Sequence, residues 1–343
     1  MNDTFKEFHD FLMENSERIR SELVMSEDSP LKDLYSDAFR RNYILHDEEL
    51  QPVSDVSATD SSEFVRELYN GKKLILIRGY TLYRGEIFSS FIPSVTEVSR
   101  EHVQAFLTML MEHSEHHSIL NMLKSKSPGY ILVDGSFSGR IMRKSSRLDA
   151  EGFNKFREEY MRTLGNLIEK SDEKGIPMVF ISKGSESRKF KRLLLKEILK
   201  TNPEIDKESI PDSSDHFIVH SLARDIGFTR PINEPLWNPN GKSGTLVTSH
   251  FVPDPVDLPM KVEFIDPRIH REGNDTGISG DLLNLVFWGY GSIKSHNVWL
   301  SEVDKLVKFR SAEMENVYMK AFERYVGVEF YETRGERRAR LRV

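Results

Sequence analysis

Apolar positions recur along the chain at two spacings, which divide it into helices and strands. Phe5, Phe8, Leu12, Ile19 and Leu23 fall on one side of a helix over residues 4 to 25. Residues 26 to 52 read as acidic and irregular, with Pro30 and Pro52. Val56 to Ser62 is a short strand with Asp60 near its end, and Asn70-Gly71 is a strong turn signal. Lys73 to Tyr83 follows as one strand, or two broken near Gly79. Strand, turn and strand imply antiparallel neighbours. Val103, Phe106, Leu107, Leu110, Met111, Ile119, Leu120 and Leu123 stripe a helix over residues 99 to 124, which Ser127-Pro128-Gly129 stops.

Tyr130-Ile-Leu-Val-Asp134-Gly-Ser136 is an apolar run that ends in a carboxylate and then turns, the pattern of a buried strand. Another long helix covers residues 149 to 174, closed by Gly175 and Pro177. Met178 to Ile181 is another buried strand, running into the polar turn Ser182-Lys183-Gly184-Ser185 and a basic helix from about Glu186 to Lys200. Asp212 or Ser213 caps a helix over residues 214 to 225. Thr245 to Phe251 and Met260 to Ile265 read as strands, and a Gly-rich loop holds Gly273, Gly277 and Gly280. A helix over Asp281 to Phe287 leads into Trp288-Gly-Tyr290 and on to His296 and Trp299. Another helix starts at Ser301, and a short strand lies near Val326 to Tyr331. The order predicts an α/β fold whose mixed sheet starts antiparallel and continues parallel. Residues 1–50 are expected to form a helical and irregular extension, and residues 51–343 one domain.

The 48 basic and 54 acidic residues of the 343 describe a folded globular chain rather than a disordered one. With no cysteine, disulfides and cysteine-based zinc sites are excluded. No run is long enough to cross a membrane and the N-terminus has no apolar signal core, so the cytoplasm is the expected location. The net charge of −6 does not suggest nucleic acid, but its distribution is uneven. Arg188, Lys189, Lys191 and Arg192 cluster with Lys196 and Lys200, and Arg334, Arg337, Arg338, Arg340 and Arg342 crowd the tail. Such stripes are either solvated faces or a track for a phosphate backbone.

A carboxylate at the end of a buried strand sits at the rim of a sheet, where ligands approach. Asp60 and Asp134 both qualify, and Glu115 lies on the intervening helix, which could lean it toward them. Three carboxylates in a small space repel one another unless cations neutralise them, and oxygen ligands favour Mg²⁺ or Mn²⁺. The plain alternative is a strand-ending turn and three unrelated surface acids. Asp55 competes with Asp60, and Glu112 with Glu115. His113 and His117, four apart on the same helix, have zinc-ligand spacing, as do Glu112 and His116. The plainer reading is a solvated helix face, since no third ligand announces itself. Trp288, Tyr290 and Trp299 are candidates for stacking on bases or for packing.

Five pieces together resemble the NurA nuclease family, whose members have an RNase H-like fold. They are Ala58-Thr-Asp60-Ser-Ser62, with Ser61 where the family's first Asp-Gly-Ser has Gly, and the helical Glu115. Next come Ile131-Leu-Val-Asp134-Gly-Ser136, and Ile181-Ser-Lys183-Gly-Ser185, with Gly184 where Asp is usual. The last is Gly289-Tyr290 followed by Ser295-His296, where Gly291 replaces a usual Pro. The resemblance covers about residues 53 to 343. It implies an RNase H-like mixed sheet flanked by helices, with an N-terminal helical extension. It implies a Mn²⁺- or Mg²⁺-dependent deoxyribonuclease using two ions, with 5′-to-3′ exonuclease and single-strand endonuclease activity. It also implies a homodimer acting on single strands and duplex ends in DNA end resection with a HerA-like hexameric ATPase. On that reading Asp60, Glu115, Asp134 and His296 hold metal, Tyr290 sits beside His296, and Lys183 contacts phosphate. Arg188, Lys189, Lys191 and Arg192 would track the DNA. Two alternatives stay open: a resolvase-like nuclease of the same fold type, and a catalytically inactive subunit that binds DNA and an ATPase.

Overall fold

A computed structural model describes residues 3–23, 30–145, 148–206, 210, 212–238, 244–267, 278–293 and 295–327. In chain order the elements are α1 (Asp3–Leu23), α2 (Pro30–Arg41), β1 (Tyr43–Leu45), β2 (Val56–Glu67), β3 (Lys73–Tyr83) and β4 (Glu86–Thr96). Then come α3 (Val103–Leu123), β5 (Tyr130–Asp134), α4 (Phe137–Met142), α5 (Phe156–Lys174), β6 (Met178–Ser182), α6 (Lys189–Thr201) and α7 (Asp215–Leu222). The chain goes on through β7 (Gly227–Thr229), β8 (Ile232–Pro235), β9 (Thr245–Val252), β10 (Met260–Ile265), α8 (Gly280–Gly289) and α9 (Val298–Val307). Helical turns over Ser311–Glu313, Met314–Met319 and Lys320–Val326 follow.

Two compact units emerge. Met1–Leu50, Ser182–Asn233 and Val247–Val262 form one, and Gln51–Ile181, Glu234–Leu246 and Glu263–Val343 the other. The division does not fall at a single cut near residue 50.

In the larger unit the strands run β6-β5-β2-β3-β4. β2 pairs antiparallel with β3, and β3 with β4, as a meander of long strands. On its other edge β2 pairs in parallel with β5, and β5 in parallel with β6. This is the expected mixed sheet with an antiparallel start and a parallel continuation. β5 and β6 are nearly continuous apolar runs because both faces are covered. The core gathers Ile75, Ile77, Phe106, Leu110, Ile119, Ile131, Val133, Leu164, Leu167 and Phe180. α3 lies directly on the meander. At Gly79 a Cβ would stand 2.7 Å from the Ser114 carbonyl carbon, so only glycine lets the helix backbone come this close. The strand over Lys73–Tyr83 runs unbroken through that point.

In the smaller unit β1, β7 and β9 pair in that order, with β8 beside β9. α2, α6 and α7 pack around Tyr35, Phe39, Phe190, Leu194 and Ile218. Residues expected to be irregular thus contain α2 and β1. Tyr35, Ala38 and Phe39, three and four apart, are all buried on one face of α2. α1 is amphipathic but leaves Phe5, Phe8 and Leu12 exposed. No described helix is long and apolar enough to cross a membrane. The arginine tail, Gly273, Gly277 and the strand expected beyond Val326 lie outside the described residues, and Val326 itself ends a helix.

Candidate metal centre

The parallel register runs from Val56 opposite Tyr130 to Thr59 opposite Val133. The next residues, Asp60 and Asp134, therefore stand side by side where the parallel pairing stops. Asp134 ends β5, but Asp60, expected at a strand end, lies inside β2, which runs on to Glu67 paired with β3. Alternation along β2 shows which way each points. Thr59 Oγ1 lies 2.9 Å from Thr81 Oγ1, which lies 2.8 Å from Ser118 Oγ on α3. The Ser61 hydroxyl donates to the Glu115 carboxylate, also on α3. Thr59 and Ser61 thus face α3. Asp60, between them, faces the other way, toward α9, which packs on β2 and β5. Glu115 stands on α3, on the face away from Asp60, near enough for its charge to act on Asp60. Among the described residues, however, the three acids do not bring ligand atoms within 4.8 Å of one another.

Their charges interact. The Asp60 carboxyl is pushed up to about 8, first by burial and then by Glu115, Asp134 and Asp304 of α9, against a pull down from the Ser61 N–H. That N–H donates to Asp60 Oδ1 over 2.7 Å. Lys308, the nearby cation, is bonded to Asp304 at 2.6 Å. Glu115 is different, because it has its own counter-ion. Arg140 Nη2 lies 2.5 Å from Glu115 Oε2 and 2.9 Å from the Asp134 carbonyl, and Nη1 lies 3.1 Å from His116 Nε2. Burial pushes the Glu115 carboxyl up, and Arg140 and Ser61 pull it back. Burial opposes the Arg140 charge too, but Glu115 and Glu112 more than offset it. Burial outweighs the pull, so the Glu115 carboxyl stands above its usual range even with the guanidinium in direct contact.

The Asp134-Gly-Ser turn is built to bring Arg140 there. Gly135 adopts φ 90°, open to glycine, and its N–H donates to the Ile181 carbonyl at 2.9 Å. Ser136 caps α4, accepting from Gly139 N–H at 3.2 Å, and donates to Glu263 Oε2 at 2.7 Å. The Ser138 hydroxyl also donates to Glu263, which is fully buried on β10. α4 is thereby pinned, and Arg140 turns back under α3. Sequence reasoning missed α4, Arg140 and Glu263. The local signal was Ser136 as a cap ahead of Phe137 and Ile141. A lone arginine on such a short helix carries no mark of burial.

Both competing acids are occupied elsewhere. Asp55 precedes β2 with φ 66°, and its carboxylate accepts from Tyr83 OH at 2.6 Å and Arg84 at 2.8 Å. Those bonds, Tyr83 first, hold it below the usual carboxylate range. Glu112 accepts from Tyr160 OH at 2.7 Å and Arg143 Nε at 3.3 Å. Tyr290 ends α8, and Gly291 N–H donates to the Ser295 carbonyl at 3.0 Å in the tight turn that follows. His296 then precedes Asn297, whose side chain caps α9. Both residues thus flank the helix that covers the Asp60 face of the sheet.

Lys183 is exposed immediately after β6, in the smaller unit, and a Cβ at its neighbour Gly184 would meet nothing. Arg188, Lys189, Lys191 and Arg192 open α6 in that unit, but they are not a free cationic stripe. Asp212 pairs with Arg188 at 2.7 Å and with Lys191 at 3.3 Å, and Lys191 is buried. Arg192 is exposed. Ser214, rather than Asp212 or Ser213, caps α7. The histidine cluster is not a solvated face either. His113 and His116 are buried, and a third group, Glu159 of α5, approaches His113 and His117.

A family model for the NurA domain matches residues 54–243, from the start of β2 through β8. The chain belongs to the NurA family. The match takes in Asp60, Glu115, Asp134 and Lys183, while Tyr290 and His296 lie beyond it. The structure is similar to that of the NurA nuclease from Sulfolobus solfataricus, with a TM-score of 0.64 at 15% identity over 95% of this chain and 99% of that one. It is also similar to a NurA structure with manganese, with a TM-score of 0.51 at 11% identity over 93% and 98% of the two chains. A NurA bound to dAMP and manganese has a TM-score of 0.51 at 11% identity over 98% and 99%. At these identities the likeness is one of fold. No curated protein matches significantly.

Proposed function

We propose that this NurA-family chain is a divalent-metal-dependent deoxyribonuclease, cleaving phosphodiesters at single strands and duplex ends. The observation that carries the proposal is Asp60 beside Asp134 where the parallel pairing of β2 with β5 stops, with Asp60 pushed up by burial and neighbouring acids. Negative charge is in excess there, the donors are oxygens, and Lys308 is bonded to Asp304. Such a set fits a hard divalent ion, Mn²⁺ or Mg²⁺. A relative of the same family and fold has been solved with manganese and dAMP.

On this reading Asp60 and Asp134 hold the ion, with Glu115 and His296 completing the ligands of a two-ion centre. Bound there, divalent ions supply Lewis acidity and a water of lowered pKa. Arg140 holds Glu115 and the Asp134 carbonyl in place, and Ser61 fixes the other Glu115 oxygen. His296 would either be that fourth ligand or position the attacking water, with Tyr290 beside it. Lys183 and the exposed Arg192 contact phosphate, and Arg188, Lys189 and Lys191 track the DNA backbone. In the cell the enzyme works as a homodimer with a HerA-type hexameric ATPase in DNA end resection, as a 5′-to-3′ exonuclease and single-strand endonuclease. The exposed Phe5, Phe8 and Leu12 of α1 offer an apolar face for such contacts.

A second reading is favoured by one observation. Both Glu115 oxygens are already engaged, by Ser61 and Arg140, as a DNA- and ATPase-binding subunit without catalysis would allow. Digestion of end-labelled single- and double-stranded DNA with Mn²⁺, Mg²⁺ or EDTA separates the two readings, run beside Asp134→Ala. Mn²⁺-dependent cleavage that the variant loses supports the nuclease. A folded wild type that binds DNA and stays inert, even with a HerA-type partner, supports the subunit.

A further inference from the structure

We propose that His113, His117 and Glu159 form a second metal site, separate from Asp60 and Asp134, that takes a zinc ion. His113 and His117 lie one turn apart on α3, and Glu159 reaches across from α5. Among the described residues they are the one group of three whose ligand atoms all come within 4.8 Å of one another. The two Nε2 atoms are 3.1 Å apart, and His113 Nε2 is 3.9 Å from Glu159 Oε1. Nitrogen ligands about 2.0–2.1 Å from a tetrahedral zinc lie about 3.3–3.4 Å from each other. The imidazole pair therefore already stands at nearly the separation a zinc ion sets, and the carboxylate needs only a small rotamer adjustment.

The surroundings fix this aim. The His113 ring packs edge-on to Phe156, with centroids 5.2 Å apart, and against Tyr160 at 6.3 Å. Its Nδ1 is buried without a hydrogen-bond partner, so the bonding side of the ring is the Nε2 side. Glu159, half exposed, gives the ion a way in from solvent. Two imidazoles and one carboxylate are borderline donors that prefer zinc to magnesium or manganese, and a water fills the fourth position. The ion would tie α5 to α3, the helix that carries Glu115 and His116. It would stiffen that helix without touching the reacting groups.

The test uses the full chain carrying Asp60→Asn and Asp134→Asn, stripped with EDTA, so that the carboxylate edge contributes nothing. Calorimetric titration with Zn²⁺ is expected to show a single tight site, and Co²⁺ the absorption bands of a low-coordinate nitrogen–oxygen site. Mn²⁺ in excess should not displace either ion. His117→Gln and Glu159→Ala should remove the Co²⁺ bands. Glu159 is exposed, so its variant keeps the fold, which circular dichroism checks. Unchanged Zn²⁺ affinity in both variants, or no Zn²⁺ bound by the folded parent, overturns the proposal. Either result leaves the nuclease reading standing, because neither residue belongs to the Asp60 centre.

Discussion

Replacing Arg140 with methionine tests whether the Glu115 pair holds the centre together. Arg140 is 2% exposed. Removing one partner of a buried ion pair costs about 3–5 kcal/mol, because the other charge is left without compensation. The Asp134 carbonyl also loses a donor, worth about 1–3 kcal/mol when the acceptor is buried. The two do not simply add, since Glu115 takes up a proton instead and burial already pushes it that way. A loss of about 3–5 kcal/mol is expected. Glu115→Gln leaves Arg140 as the stranded charge, with two neutral acceptors, and should cost somewhat less. The double variant strands neither charge. Its cost should fall short of the sum by about 2 kcal/mol, within the range for residues in contact. Urea unfolding followed by tryptophan fluorescence reads the right unit, since Trp237, Trp288 and Trp299 all lie in it. Costs that add within about 0.5 kcal/mol, or an Arg140→Met loss below about 1 kcal/mol, refute the argument.

Other outcomes follow from the same geometry. In metal-free protein the raised Asp60 carboxyl binds a proton that the unfolded chain has released, so stability falls as pH rises from about 4 to about 8. Asp60→Asn removes that slope in EDTA melts while abolishing Mn²⁺-dependent cleavage; a slope that persists in the variant counts against the crowded-acid account. Gly79→Ala forces α3 off the meander and should cost about 1–3 kcal/mol, with cleavage falling alongside because Glu115 shifts. Thermal melts and turnover, measured together, check it. In the smaller unit the fully buried Asp215 accepts from the N–H groups of Phe190 at 3.1 Å and Lys191 at 2.7 Å. Asp215→Ala uncaps α6 and should cost about 1–3 kcal/mol by urea unfolding.

Asp134 was legible because it ends an apolar strand whose flanking turn is a local signal. Asp60, by contrast, lies inside a strand that runs on to Glu67 through polar residues no short apolar run could mark. α3 was legible from its stripe. β4 was not, since it is an edge strand with Pro93 and a mostly half-exposed pattern, and edges carry weaker apolar alternation. α2 hid in an acidic stretch, though the spacing of Tyr35, Ala38 and Phe39 marks it. Ser61, a departure from the expected glycine, makes sense only in the fold, where its hydroxyl meets Glu115. Arg140 and Glu159 gain their roles from helices far off in sequence, and no local pattern announces a partner that arrives through packing. The charge of the basic α6 looked free because Asp212, its counter-ion, comes from a later loop.

The pairing of β2 with β5 has a consequence for how the protein comes into being. The β2–β3–β4 meander closes short turns, whereas Ser57 meets Tyr130 across 73 residues. Local hairpins form quickly, and a parallel pairing over such a span must first close a long loop. Asp60 therefore stands in an early hairpin without its partner acid until β5 docks. A chain that has made only its local contacts has no acidic pair to hold an ion. On the proposed reading, the acid pair that would hold the ion exists only once β5 has docked on β2.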